Sequence, residues 1–189
     1  MTDTAILRQA QAQFARILDA VGDDDWDKAT PCEAWSIRDL TAHLIRGEDM
    51  AVRLLDGASS EEARAMISAP PPPGDLKAAF ATAASASARA FDAPGAMELV
   101  VHHPIGDVAG SQLLSFRIGD LTLHSWDLAR SIGAGETLDP FLVETVWGDL
   151  EPLTTVIASI GVFGDGPSGN VGEDAELQLR LLDLTGRRP

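Results

Sequence analysis

The chain has 189 residues, 45% hydrophobic and 23% charged, enough for one domain with a sizeable core and too few for two comfortable ones. Its formal net charge of −15, from 29 acids against 14 bases, repels nucleic acid and anionic membrane surfaces, so neither is an expected partner. The single cysteine, Cys32, excludes an intramolecular disulfide and suits a reducing compartment; with no basic-then-apolar leader and no apolar run near the ~20 residues of a bilayer span, a soluble cytoplasmic protein is expected.

Residues 4–21 carry Ile6, Ala10, Phe14, Ile17, Leu18 and Val21 on one stripe of a 3.6-residue period, which predicts a first helix. Gly22 and the acidic run Asp23–Asp25 read as a solvated loop. The next helix start is strongly signalled. Ser36 is a good N-cap, Asp39 stands at the third helical position, and Trp35 and Leu40 are placed as a hydrophobic staple. The helix then runs over about 37–56, with Ile37, Leu40, Leu44, Ala51 and Leu54 facing inward and His43 beside that stripe.

The proline run in Ala69–Gly74 is a loop, because proline cannot continue a helix. It joins the second helix to an alanine-rich third, from Asp75 to about Phe91. Residues 97–103 look extended and Pro104–Asp107 looks like a turn, so a short strand or hairpin is expected. Residues 111–132 form a helix stopped by Gly133. Leu114, Ile118, Leu121, Leu128 and Ile132 mark one apolar side of it, and Phe116, Leu123 and Trp126 occupy much of the other. A helix apolar nearly all round belongs in the middle of a structure. Its narrow polar sector holds Arg117, Asp120, His124, Asp127 and Ser131. A further helix is expected from Pro140 to about Ile160, then a Gly/Asp/Pro-rich loop over 164–174, then a short last segment from Ala175 to Leu184. The expected fold class is all-α: a four-helix bundle with additional short helices and a short β-hairpin, in one domain spanning 1–189.

Within that frame Asp120 and His124 carry the sharpest chemical signal. Side chains at i and i+4 share a helix face, about 5–6 Å apart at Cβ, and His43 on an earlier helix supplies a third donor. Three N/O ligands with the remaining positions open is how a catalytic divalent-metal site is built. The competing reading of Asp120 and His124 is an exposed pair making one ionic hydrogen bond, and the sequence leaves both open. Asp39 is read as a cap rather than as a carboxylate orienting His43. Adjacent His102 and His103 point to opposite sides of an extended segment and are read as ordinary. Cys32 is a reactive thiol, a fourth ligand, or a small buried residue before the helix cap, the last being favoured. Trp35 and Trp126 are the tryptophans near the site in sequence.

The segment Thr30-Pro-Cys-Glu-Ala-Trp35-Ser-Ile-Arg38-Asp39-Leu-Thr-Ala-His43-Leu resembles the second-helix signature of the N-terminal domain of mycothiol-dependent maleylpyruvate isomerases. Asp120-Leu-Thr-Leu-His124-Ser-Trp126-Asp127-Leu-Ala-Arg130 resembles the matching later motif. Both belong to the DinB/YfiT-like superfamily of metal-binding four-helix bundles, and the chain is most similar to its actinobacterial single-domain metal-binding subfamily. The resemblance implies a divalent metal, zinc or nickel most commonly, held by His43, Asp120 and His124. The family's acidic ligand is typically Glu, and Asp is one methylene shorter. The isomerase carries a C-terminal domain that contributes to its active site; this chain is expected to lack it, so maleylpyruvate isomerisation itself is not the expected activity.

The resemblance further implies mycothiol or a similar small thiol as co-substrate and a small electrophile as substrate, in transfer or isomerisation chemistry. The sequence identifies no general base; Asp127 and Arg130 are the nearby candidates. Two other functions fit the same sequence: a non-catalytic metal- or small-molecule-binding bundle acting as a sensor or in stress response, and a structural bundle that dimerises. A homodimer is compatible with each reading.

Overall fold

The computed structural model describes residues 3–153 and 166–189. Helix α1 (Asp3–Asp19) buries Leu7, Ala10, Phe14, Ile17 and Leu18. Ile6, assigned from the sequence to that stripe, is only half-buried, and its neighbour Leu7 takes the inward position. Helix α2 (Ile37–Leu55) starts on the capping box: Asp39 N–H donates to Ser36 Oγ at 3.2 Å and Ser36 N–H to Asp39 Oδ2 at 3.0 Å. Asp39 is therefore a cap, as read from the sequence.

One element was missed. Helix α3 (Ser60–Ile67) lies where the sequence reading joined α2 to the proline run without further structure. Its signal was a second capping box, Ser59 with Glu62, in a stretch too short and too polar to show apolar periodicity. Helix α4 (Leu76–Phe91) follows, capped by Asp75.

Strands β1 (Val100–His103) and β2 (Gly106–Ala109) pair antiparallel, from Val100 opposite Ala109 to His103 opposite Gly106. The expected hairpin is present, but its extended part begins at Val100 rather than at residue 97. The Gly95–Leu99 turn before it has a second task. Helix α5 (Gly110–Ser131) has no side-chain cap, and its first N–H groups donate to Leu99 O at 2.8 Å and Met97 O at 3.0 Å. Gly110 is required there, since a Cβ would stand 1.9 Å from Ala96 O.

Helices α1, α4, α2 and α5 close a ring in which each packs on the next. Phe14 of α1 meets Phe80 of α4 with ring centroids 4.8 Å apart. Along α5 every residue from 121 to 129 is buried, which is the central position its all-round apolarity required. Full burial of Trp126, Phe14, Phe80 and Phe91 contributes on the order of 1.5–3 kcal/mol per side chain.

Contacts divide the chain into two compact units, Met1–Glu136 and Thr137–Pro189. The first is the bundle just described. In the second, α6 (Pro140–Leu150) starts with Asp139 as N-cap and Pro140 in the first turn. A 3₁₀ turn, Glu151–Leu153, follows, and α7 (Leu177–Leu184) packs on α6. Leu142, Val143 and Val146 are buried, as are Leu181 and Leu182, and the Arg180 guanidinium lies 4.5 Å from the centre of the Trp147 ring. The helix expected to run to Ile160 gives way to that 3₁₀ turn after Leu150, and its remaining stretch, 154–160, lies outside the described residues. Among the described residues no helix is long and apolar enough to cross a membrane.

Candidate functional site

His43 of α2 and Asp120 and His124 of α5 converge. His43 Nε2 stands 3.0 Å from Asp120 Oδ2, and His124 Nε2 stands 3.2 Å from Asp120 Oδ1. The His43 and His124 ring centroids are 5.2 Å apart. Among the described residues this is one of two groups of three side chains whose donor atoms are close enough to share an ion. The open-surface alternative for Asp120 and His124 is overturned: His124 is buried, and Asp120 sits at the rim with 25% of its side chain exposed. With His43 at 30%, two of the three side chains are part-exposed at that rim.

Each donor is positioned by a neighbour. His124 Nδ1 lies 2.8 Å from Asp127 Oδ2, and Asp127 is fully buried. A buried carboxylate holding one ring nitrogen protonated leaves the lone pair on the other, which is how a metal-binding histidine is oriented. Asp120 Oδ2, the oxygen that faces His43, also accepts from Arg117 Nη1 at 2.7 Å, which restrains the carboxylate. Trp35 lies against both imidazoles, tilted by 41° and 35°, with centroids 4.8 Å from His43 and 5.8 Å from His124. The sequence reading gave Trp35 to a staple at the helix start; its ring is a wall of the site.

Arg117 belongs to a layer that sequence reasoning did not find. Its guanidinium reaches Glu48 Oε1 of α2 at 3.4 Å, and Glu48 Oε2 accepts from Gln11 Nε2 of α1 at 3.1 Å and from the Ser87 hydroxyl of α4. All four helices of the bundle thus contribute a polar side chain to one buried cluster. Gly47 makes room for it, since a Cβ there would meet the three outer guanidinium atoms at 2.2–2.7 Å. The available signal was Glu48 itself, one turn after Leu44 and one before Ala51 on the inward stripe, where a carboxylate needs a partner.

The electrostatics follow from this crowding. Burial pushes the Glu48 carboxyl up, with Arg117 and the Ser87 and Gln11 hydrogen bonds opposing it only in part. Burial acts on Asp120 in the same direction, but the neighbouring imidazoles of His43 and His124 override it and hold Asp120 well below the usual carboxylate range. For His124 burial favours the neutral ring, and the Asp120 charge with hydrogen bonds to Asp120, Asp127 and Cys32 raises it well above the ordinary histidine value.

Cys32 is placed differently from the favoured expectation. It is not a buried apolar filler: its Sγ lies 3.4 Å from Asp127 Oδ2 and 3.7 Å from His124 Nδ1. The loop that carries it is tight. Thr30 N–H donates to Trp35 O and Trp35 N–H to Cys32 O, both at 3.0 Å, and Ala34 adopts φ +66°. This folds Cys32 and Trp35 onto the start of α2, beside α5. Of the two candidate proton-transfer groups, Asp127 is committed to His124 and Cys32. Arg130 lies 4.9 Å from the Trp126 ring and 3.0 Å from Glu136. His102 pairs with Asp107 and His103 packs on Phe116, so neither histidine joins the site.

Two uncharacterized proteins of Mycobacterium tuberculosis, from strains H37Rv and CDC 1551, are each 33% identical to this chain over 160 residues, covering 85% of it and 80% of the relative. Two crystal structures of the mycothiol-dependent maleylpyruvate isomerase, one of a histidine-to-alanine mutant, superpose with TM-scores of 0.59 and 0.63 at 18% and 17% identity. That likeness establishes a shared fold. It covers 76% of this chain and 65% of the isomerase chain, so the match spans less than two thirds of the isomerase's length. The sequence model of one family matches residues 7–129, from α1 to the buried stretch of α5, and the chain belongs to that family, the mycothiol maleylpyruvate isomerase N-terminal domain.

Proposed function

We propose that this protein holds a divalent metal on His43, Asp120 and His124 and is a thiol-dependent transferase or isomerase-like enzyme of the mycothiol type. The observation that carries the reading is the convergence of two imidazole nitrogens on one carboxylate at 3.0 and 3.2 Å. Donors bound at about 2.0–2.1 Å to one ion stand roughly 2.9–3.4 Å apart; both separations fall in that range, each to a different oxygen of Asp120, and the three donor atoms lie within 4.8 Å of one another. The orienting carboxylate behind His124 fits it as well. Zinc and nickel both suit two histidines and a carboxylate.

When bound, a divalent ion there would favour the thiolate form of a small thiol, which is the nucleophilic form. The protein's own part is positional. Arg117 restrains the Asp120 carboxylate and Asp127 orients the His124 ring. Trp35 gives a flat apolar wall against which a small electrophile packs, and the exposed edges of His43 and Asp120 define the approach. The one-cysteine composition suits a reducing cytoplasm, where free small thiols are available.

A second reading is supported by the engagement of Asp127 and Arg130 with other groups. A bundle whose nearby proton-transfer candidates are occupied would serve as a non-catalytic metal or small-molecule binder. Elemental analysis of untagged protein, with His43→Ala and His124→Ala purified in parallel, tests the centre. About one metal per chain, lost in both variants, is the expected result. Wild-type protein that is metal-free and refuses zinc and nickel overturns the metal centre. Metal-loaded protein that leaves a panel of electrophiles at background rate with added mycothiol overturns the enzyme and leaves the binder.

A further inference from the structure

We infer that His124 serves two metal sites, one on each ring nitrogen, and that Cys32, Asp127 and His124 Nδ1 form the second, a thiolate site for a thiophilic divalent cation. The inference goes beyond the preceding function and concerns the opposite edge of the imidazole. The three atoms stand 3.7 Å (Sγ to Nδ1), 3.4 Å (Sγ to Oδ2) and 2.8 Å (Nδ1 to Oδ2) apart. A tetrahedral ion bound at about 2.3 Å to sulfur and about 2.0 Å to nitrogen and oxygen separates sulfur from the other donors by roughly 3.5 Å, and nitrogen from oxygen by roughly 3.3 Å. Both sulfur separations already match. Only the His124–Asp127 pair must open, by about half an ångström, as a hydrogen bond gives way to a shared ion.

The two sites exclude each other, for a reason internal to imidazole. A neutral ring has one lone pair. With an ion on Nε2, the proton sits on Nδ1 and is donated to Asp127 at 2.8 Å. With an ion on Nδ1, the proton sits on Nε2, where Asp120 accepts it at 3.2 Å. A carboxylate is in place for either tautomer. Filling the Cys32 side displaces the thiol proton and the Nδ1 proton to solvent and leaves a neutral ring with its proton on Nε2, and the thiolate and the Asp127 carboxylate offset the two charges of the ion. Cys32 is part-exposed, which gives the ion access, and sulfur in the donor set selects zinc, cadmium or cobalt over magnesium or calcium.

Cobalt(II) is the probe, because thiolate-to-cobalt charge transfer absorbs in the near ultraviolet and Cys32 is the only cysteine in the chain. His43→Gln, with His43→Ala as a second variant, weakens the Nε2 side and leaves the Cys32 side intact; circular dichroism confirms that each is folded. The expected result is a charge-transfer band in His43→Gln, several times stronger per bound cobalt than in wild type, and lost in His43→Gln/Cys32→Ser. Asp127→Asn in the same background weakens cobalt binding roughly tenfold or more. Cobalt bound by folded His43→Gln without the band, or no cobalt bound at all, overturns the inference. A full-strength band in wild type would instead sink the Nε2 centre of the preceding section and leave this one standing.

Discussion

Replacing Gly47 by alanine sets helix propensity against the buried ion cluster. In the interior of α2, propensity alone favours alanine by about 1 kcal/mol. The added Cβ would stand 2.2 Å from Arg117 Nη1, 2.5 Å from Cζ and 2.7 Å from Nη2, so the whole guanidinium must retreat by more than an ångström. It has little freedom to do so, being held at 2.7 Å by Asp120 and 3.4 Å by Glu48 with its side chain only 5% exposed. Separating a buried pair costs about 3–5 kcal/mol, so the net effect is a loss of about 2–4 kcal/mol. Urea unfolding followed by circular dichroism reads this directly, and the same substitution in an Arg117→Ala background supplies the control. There the clash is gone, and Gly47→Ala should be neutral or stabilise by up to about 1 kcal/mol. Gly47→Ala that stabilises the natural chain, or that shifts both backgrounds equally, would refute the reasoning.

Asp127→Asn should weaken zinc or nickel binding at the His43–Asp120–His124 centre by about 10–100-fold with the helix content unchanged, because His124 loses its anionic anchor; competition with a chromogenic chelator measures it. The Asp39 carboxyl is held below its usual range, first by the Ser36 hydroxyl and then by the Ser36 amide. Its share of stability is thus fully present above the ordinary aspartate value and disappears as pH falls through the depressed one. Asp39→Ala should cost about 0.5–1 kcal/mol at neutral pH, discounted for its partial exposure, and nothing in strong acid; denaturation midpoints of both proteins against pH should converge there. Ala34→Gly relieves a left-handed alanine of about 1 kcal/mol of strain and adds a similar unfolded-state entropy. It should therefore lie within about 0.5 kcal/mol of wild type, unlike an Ala→Gly change inside a helix.

The parts of this structure legible in the sequence are those dictated by short-range rules. The Ser36–Asp39 box announced α2 because its groups lie three residues apart. The apolar surround of residues 111–132 announced a central helix, and within it Asp120 and His124 were visible as a pair. Cys32 and Glu48 were not legible in the same way. Cys32 approaches Asp127 across 95 positions and Glu48 approaches Arg117 across 69, and no periodicity reports on which helices become neighbours. Trp35 shows the intermediate case: its place before the cap was plain, but its ring turns to the histidines because α5 brings His124 there. Helix α3 was lost for the opposite reason, its single turn-pair being too short for an apolar pattern to register beside the proline run.

The four-helix polar layer restricts how this chain can drift. Gln11, Glu48, Ser87 and Arg117 each complete a neighbour's hydrogen bonding, so an apolar substitution at any one of them strands a buried partner. The path to an all-apolar layer, which would be the more stable end point for many such clusters, runs through single mutants that are each several kcal/mol worse. This chain is thus held on its present solution by the depth of the intervening valley rather than by the merit of the ion pair itself. Because Arg117 also braces Asp120, the same valley keeps the carboxylate at the site's rim aimed where it is, whatever ligand the rim has come to serve.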